Sequence, residues 1–362
     1  MRKKLVIVGG GYLGVELAKA LDNDLDVTLI EQRKSFVHAP AMIRAIVDPS
    51  LLDRALMPYD LLLSKGKVIK GKVTSVDENG VTLMDDTHIA ADFIVIATGS
   101  TNGDAFKPAG DNIDDFCSVV KGLHDKLKAA SSVAIVGAGT VGTELAGEIS
   151  YAMSEKNVTL ISSDSSLFLQ MPPKFGASLA SKLNDAGVDV KLGVRVNNLE
   201  SLTTPYSGTL SLSDGNTLIA DLIIPTVGSR AASVVLNGLP NITKDKSDRV
   251  KVDSYLRPST FDNVFAAGDV ANNTDAMTIV AVSRQVRWLT KMLKEQVKGK
   301  ALNQIKPYSP WAAGKAPLFL PLGPNKGNSF LVIATFGNWV TSVIKGKDLF
   351  ISKYRKLLGL KG

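Results

Sequence analysis

At 362 residues, with 45% apolar and 21% charged side chains, the chain has the make-up of an ordinary globular protein of two or three domains, which excludes a fibrous or disordered one. Its single cysteine, Cys117, allows neither an intrachain disulfide nor a CxxC redox pair, so the chain either lives in a reducing compartment or does not depend on crosslinks, and Cys117 reads as a small buried hydrophobe. The net charge of +7 is uneven: from Val297 onward eleven Lys and Arg stand against Asp348 alone, so that segment carries +10, the rest sums to −3, and the last 66 residues form a compositional module.

In chain order, the basic Met1–Lys4 leads into the apolar run Leu5–Val8, too short for a signal-peptide core and read instead as a first strand. Arg2 stands where an N-myristoylated chain carries glycine. Gly9, Gly11 and Gly14 follow in GxGxxG spacing and open a helical pattern. The run Val27–Glu31 then ends in a carboxylate, about 20 residues past the glycines, where such units bind the ribose hydroxyls of an adenosine. Next come a predicted hairpin, Val73–Met84, turning at Asn79-Gly80, and an apolar strand, Phe93–Gly99.

The same order then repeats. Val133-Ala-Ile-Val-Gly-Ala-Gly-Thr-Val-Gly-Thr-Glu144 echoes Leu5–Glu16, with Gly137, Gly139 and Gly142 in the glycine positions. In each copy the first glycine makes the tight turn, the second lets a diphosphate approach the backbone, and the third lets helix pack on strand. The helix N-terminus adds unpaired N–H groups that suit the diphosphate. The second copy departs at Val158–Ser162, which ends in Ser162 rather than an acid, so weak discrimination between NADH and NADPH is expected. A hairpin at Thr209–Ile219 around Asp214-Gly215 and a strand closing at Gly228 complete the unit. Asn263–Asp269 then reads as a returning strand and Ala276 to about Lys298 as a helix.

In the last module, residues 326–345 are uncharged between the terminal lysines. They include Asn328, Ser329, Thr335, Asn338 and Thr341, too polar for a bilayer span. Phe350, Tyr354, Leu357 and Leu358 share one face of a basic helix, which either lies on an anionic membrane or packs on the protein. Crowding of Tyr308, Trp311, Phe319, Phe330, Phe336 and Trp339 into the module favours the membrane.

Taken together, the two glycine motifs, Thr98-Gly99, Gly268-Asp269, Ser35-Phe36 with His38, Arg44, Leu320–Gly327 and Lys345–Phe350 resemble the pyridine nucleotide–disulfide reductase superfamily without its disulfide. Within it, the resemblance is to the ferroptosis suppressor and apoptosis-inducing-factor-like NAD(P)H:quinone oxidoreductases. The implied fold is α/β: two Rossmann-like domains, for FAD and NAD(P)H, with a small C-terminal α+β domain. FAD would occupy residues 1–117 and 237–298, NAD(P)H the inserted 118–236, and 299–362 would be the acceptor and membrane module.

The resemblance implies that Gly9, Gly10, Gly11 and Gly14 cradle the FAD diphosphate, with Glu31 on the ribose. It further implies that Arg44, the backbone at Val73, Thr98, Gly99 and Asp269 contact FAD, and that Gly137, Gly139, Gly142, Ser162 and Gly228 serve NAD(P)H. Glu144 would lie where nicotinamide meets flavin, or merely complement its helix N-terminus. Lys345 would close the acceptor site, or be a surface lysine, and His38 is either near the flavin ring or a satisfied loop histidine. The expected activity is hydride transfer from NAD(P)H to FAD and on to a quinone, by a cytoplasmic, peripheral membrane enzyme with no metal and no nucleic acid. The alternatives are a reductase for an acidic protein acceptor such as ferredoxin or rubredoxin, and a flavin-stabilised signalling or nucleic-acid-binding protein. A dimer is compatible with the sequence but not specified by it. The helix Met277–Gln285 lacks the AQxAxQ quinone signature of type-II NADH dehydrogenases, which weakens the quinone assignment relative to the flavin one.

Overall fold

The computed structural model describes residues 2–311 and 314–362. Strand β1 (Lys4–Val8) buries Leu5 through Val8, the continuous apolar run of a strand covered on both faces. It feeds α1 (Tyr12–Leu21), which returns the chain to β2 (Asp26–Glu31). Helix α2 (Ala39–Ala45) and strand β3 (Lys67–Lys70) follow. The predicted hairpin forms as β4 (Val73–Val76) and β5 (Gly80–Leu83), with a third strand, β6 (His88–Ala90), that the sequence reading does not include. Gly80 serves the close approach of that strand rather than a left-handed turn: a Cβ there would lie 2.2 Å from the Ile89 carbonyl oxygen. Strand β7 (Phe93–Ile96) then re-enters beside β1.

Helix α3 (Ile113–Ala129) spans the boundary expected after residue 117. Its Phe116 and Val120 pack into the first core, its Leu123 and Leu127 into the second. The second unit runs β8 (Ser132–Val136), α4 (Thr140–Ala152), β9 (Asn157–Ile161), α5 (Pro173–Asn184), β10 (Val188–Lys191), β11 (Tyr206–Ser211) and β12 (Thr217–Pro225). Its sheet has the order β10-β9-β8-β12-β11, parallel except for the β11/β12 pair. One expectation is corrected here: the hairpin arm and the strand leading to Gly228 are a single strand, β12, antiparallel to β11 at one end and parallel to β8 at the other. A polar Asp221 interrupts the apolar pattern without ending the strand, because it accepts hydrogen bonds from Ser131 and Ser132.

Strand β13 (Val264–Ala266) returns to the first sheet, giving β13-β7-β1-β2-β3, all parallel. Helix α6 (Ile279–Val297) then packs on α1. The last residues form β14 (Leu318–Leu322), β15 (Lys326–Phe330), β16 (Thr335–Phe336), the short helix α7 (Asn338–Thr341), a π-helical turn at Ser342–Gly346, and α8 (Ile351–Leu357). They share no core of their own. Leu320, Leu322 and Phe330 join the second unit's core, where Gly147 of α4 lets β14 approach so closely that a Cβ would lie 2.5 Å from the Leu322 Cα. Leu349, Ile351, Tyr354 and Leu358 join the first.

Candidate functional site

Both glycine loops leave the carboxyl end of a central strand, where the order of the parallel sheet reverses and a crevice opens. In the first, Gly9 has φ +108° and a Cβ on it would lie 2.4 Å from the Ala97 carbonyl oxygen. A Cβ on Gly14 would lie 1.9 Å from the Gly9 oxygen, so α1 can sit against β1 only without one. Gly11 is different: a Cβ there meets nothing within 4 Å, which leaves the space over the helix N-terminus free. Glu31, buried at the end of β2, accepts the Gly10 N–H at 2.7 Å, the Arg33 N–H at 3.1 Å and the Arg33 guanidinium at 3.2 Å. A carboxylate accepts about four hydrogen bonds, so capacity remains for one ribose hydroxyl. Tyr59, which the sequence reading passed over, donates to the Gly10 carbonyl at 2.9 Å and steadies the loop.

Val73 begins β4, two residues beyond Gly71, whose N–H donates to the Glu31 carbonyl at 2.9 Å. Thr98 donates its hydroxyl to the Ala232 carbonyl at 2.7 Å, and Gly99 follows at φ +72°. Asp269 accepts from Ser100 Oγ at 2.8 Å and from Lys107 Nζ at 3.2 Å. Lys107 carries no motif and could not be found from sequence. The neighbouring Gly268 N–H is held by Gln285 Oε1 at 2.7 Å, and Gln285 in turn donates to the buried Asp275 at 3.0 Å.

The second loop repeats the geometry. Gly137 has φ +111°, a Cβ on Gly142 would lie 1.9 Å from the Gly137 oxygen, and the space beside Gly139 is free. Ser162 receives the Asp164 N–H on its hydroxyl at 3.2 Å, with no carboxylate in the place Glu31 takes in the first unit. Gly228 closes β12 at φ +78°.

A cavity of about 330 Å³ joins the two units, and its walls include Tyr12, Gly139, Glu144, Asp269, Phe319 and Lys345. Lys345 Nζ donates to Glu144 Oε1 at 2.6 Å and to the Phe319 carbonyl at 3.2 Å. Burial pushes the Glu144 carboxyl above its usual range, against the opposing pull of the Lys345 ammonium. One turn along α4, Glu148 accepts both the Nε and an Nη of Arg44, at 2.9 and 2.8 Å. The guanidinium expected to contact the cofactor is therefore committed to Glu148, tying α2 of the first unit to α4 of the second. Glu148 was legible as the same-face neighbour of Glu144 at i+4, a spacing the sequence reading did not use.

His38 is fully buried, its Nε2 donating to the Leu349 carbonyl at 2.6 Å and its Nδ1 accepting the Tyr12 hydroxyl at 3.2 Å. Burial lowers its pKa to about 4. It is a satisfied histidine that fastens the last segment to the first loop.

The C-terminal helix corrects a larger expectation. Phe350 precedes α8 in a left-handed conformation and lines the cavity, while Ile351, Tyr354 and Leu358 form the helix's buried face. Tyr354 stacks on Phe36 at 5.5 Å, meets Tyr12 edge-on at 4.9 Å and donates to Glu16 at 2.6 Å. That face is spent on the protein core and is not available to a bilayer. Three of the module's other aromatics are likewise used internally, since Tyr308 and Phe330 are buried and Trp311 lies under Arg284, whereas Phe336 and Trp339 are exposed.

Comparison with known proteins agrees with this architecture. A family profile described as pyridine nucleotide-disulphide oxidoreductase matches residues 59–286, and a second of the same description matches 4–56. Apoptosis-inducing factor homolog B of Dictyostelium discoideum is 30% identical over 98% of this chain and 96% of its own. Ferroptosis suppressor protein 1 of Xenopus tropicalis is 26% identical over the same shares. Among solved structures, the sulfide:quinone oxidoreductase of Aquifex aeolicus superposes with TM-score 0.78 at 19% identity, covering 98% of this chain and 91% of that one. NDH2 of Plasmodium falciparum, in complex with NADH, gives 0.74 at 14% identity, covering 99% and 95%. With two matched dinucleotide sites, for FAD and NAD(P)H, and a full-length relative at 30% identity, the chain belongs to the pyridine nucleotide-disulphide oxidoreductase family.

Proposed function

We propose that the protein passes a hydride from NAD(P)H to FAD and the electrons on to a quinone at a membrane surface. The observation that carries this reading is the cavity between the two units, lined by Tyr12 just after the first glycine loop, by Gly139 of the second and by the Glu144–Lys345 pair, with no cysteine among its lining residues. The lone Cys117 lines a separate surface groove with Lys34 and Asp114, so electrons have no intrachain disulfide to pass through. An acceptor must meet the flavin directly, and the cavity's walls of Tyr12, Phe319 and Phe350 suit a flat, apolar ring. A fold shared with a sulfide:quinone oxidoreductase supports the choice of acceptor.

Bound FAD supplies the two-electron chemistry, taking hydride from the nicotinamide and releasing electrons to the acceptor. The chain supplies placement and charge. Gly11 and Gly139 leave room for the two diphosphates, Glu31 and Asp269 accept from the hydroxyls of the first dinucleotide, and Glu144 borders the second loop at the cavity. Arg44 acts through Glu148, holding α4 in place. Lys345 uses two of its three N–H donors on Glu144 and Phe319, which leaves one for an acceptor carbonyl. Quinol formation needs one proton beyond the hydride, and in this reading the Lys345 ammonium delivers it. With Ser162 and no acid at the second ribose, both NADH and NADPH are accepted.

Stopped-flow absorbance tests the reading: NADH and NADPH should each bleach the flavin, and a short-chain, water-soluble quinone should restore its colour. Lys345→Met should slow that reoxidation by about 100-fold, the scale of a lost proton donor, without loss of FAD. Reoxidation by ferredoxin or rubredoxin but by no quinone would overturn the quinone assignment in favour of a protein acceptor.

A further inference from the structure

The turn between β15 and β16 runs Leu331-Val332-Ile333-Ala334, four apolar residues where turns ordinarily place Gly, Asn, Asp or Ser. It closes on itself, with the Leu331 N–H donating to the Ala334 carbonyl at 3.0 Å and the Ile333 N–H to the Leu331 carbonyl at 2.7 Å. Val332 is held at φ +68°, a conformation that is a real outlier for a β-branched residue. The result is Ile333 at the tip, 92% exposed. Further along the same segment, Trp339 is 78% and Val343 58% exposed, four residues apart in sequence on the helical turns that follow β16, with Phe336 and Ile344 each 36% exposed. No described segment of the chain covers them. Single exposed hydrophobes are ordinary, but several large ones on a strained turn and on the helical turns that follow it in the same segment mark a contact surface.

We infer that this face, rather than the C-terminal helix, docks the protein on an anionic lipid bilayer, with Ile333 and Trp339 entering the interfacial layer. Charge selects the partner. Between Glu295 and Asp348 there is no acidic residue, while Lys326 opens β15 and Lys347 follows the π-helical turn. An apolar tip, an exposed tryptophan and a lysine rim are the composition of a peripheral membrane contact. No helix among the described residues is long and apolar enough to cross a membrane, so the contact is with one leaflet. The surface also continues into the cavity wall, since Ile344 is followed by Lys345 and β14 contributes Phe319. Docking there brings a lipid-soluble acceptor to the cavity mouth, a consequence that rests on the quinone reading above.

Vesicle flotation of the holoenzyme decides it, with phosphatidylcholine vesicles against phosphatidylcholine mixed with phosphatidylglycerol. Wild type should float with the anionic vesicles at low salt, and less with the neutral ones or at high salt. The double variant I333E/W339E should reduce the floated fraction at least about tenfold, the effect of placing two charges in the interface. It should keep its FAD and its turnover of a water-soluble quinone. Wild type that stays in solution, or a double variant that floats equally well, overturns the docking surface. So does a wild-type dimer that the double variant converts to a monomer with no flotation by either, which would make this face a contact between copies. Flotation without any quinone reduction would remove the acceptor reading and leave the docking surface standing.

Discussion

Gly11 and Gly14 illustrate how differently two glycines of one motif are constrained. A Cβ at position 14 collides with backbone, whereas one at position 11 meets nothing within the protein. Gly11→Val, at φ −74° and ψ −166°, meets no clash in the apoprotein and should cost its stability no more than the ~1 kcal/mol of a poorer N-cap. It fills the space reserved for the diphosphate, so FAD affinity should drop more than about tenfold, roughly 1.4 kcal/mol, as read by flavin absorbance after gel filtration. Full FAD retention would contradict the site. His38 supplies a test in pH. Its pKa is about 4 when folded, pushed down by burial, against 6.5 for the free side chain. Between these values the unfolded chain binds the proton and the folded one does not. The neutral ring's contribution is thus intact above about pH 6.5 and is lost as pH falls toward 4, at most about 3 kcal/mol. Urea melts across this window should show His38→Gln with a shallower pH dependence than wild type; equal slopes would mean that the ring is not buried neutral.

At the scale of elements, α8 behaves as part of the first unit's core although it lies at the far end of the sequence. Tyr354 is fully buried between Phe36 and Tyr12, and desolvation with the nearby Glu16 raises its phenol pKa far above the usual value. Tyr354→Ala should cost about 3–5 kcal/mol, the range for removing a buried aromatic ring. Tyr354→Phe keeps the packing but leaves Glu16 short of one donor, at about 1–3 kcal/mol. Chemical denaturation of both variants checks the order. If the alanine variant were as stable as wild type but no longer floated with vesicles, the helix would be a membrane anchor after all. The amphipathic pattern of α8 was readable, and its buried face was misread by one residue because Phe350 lies outside the helix, in a left-handed conformation that no local pattern announces.

Across the whole molecule, the two dinucleotide units are joined at the site by charge as well as by the apolar contacts of α3. Arg44 and Glu148 link α2 to α4, and Glu144 with Lys345 links α4 to the C-terminal segment. Both pairs are largely buried, so their worth lies in orientation more than in net stability. Removing one partner is another matter, because it strands a buried charge. Arg44→Met should destabilise the protein by about 3–5 kcal/mol and slow hydride transfer, while the double variant R44M/E148Q should recover most of the stability. A cycle in which the two substitutions simply add would show that the pair does not couple the units.

What the sequence determined by itself were the features with local causes. Two GxGxxG turns, the acid at Glu31, its absence at Ser162, and the strands around them follow from backbone geometry within a few dozen residues, and they are enough for the fold and both cofactors. Only the tertiary structure decided which long-range partners these elements found. Lys107 on Asp269, Arg44 on Glu148 and Lys345 on Glu144 bring together residues far apart in the chain. The same holds for the apolar surfaces. A stripe on α8 and the run Leu331–Ala334 are both hydrophobic in sequence, but burial depends on what packs opposite, and the core closes over Tyr354 while Ile333 is left facing out.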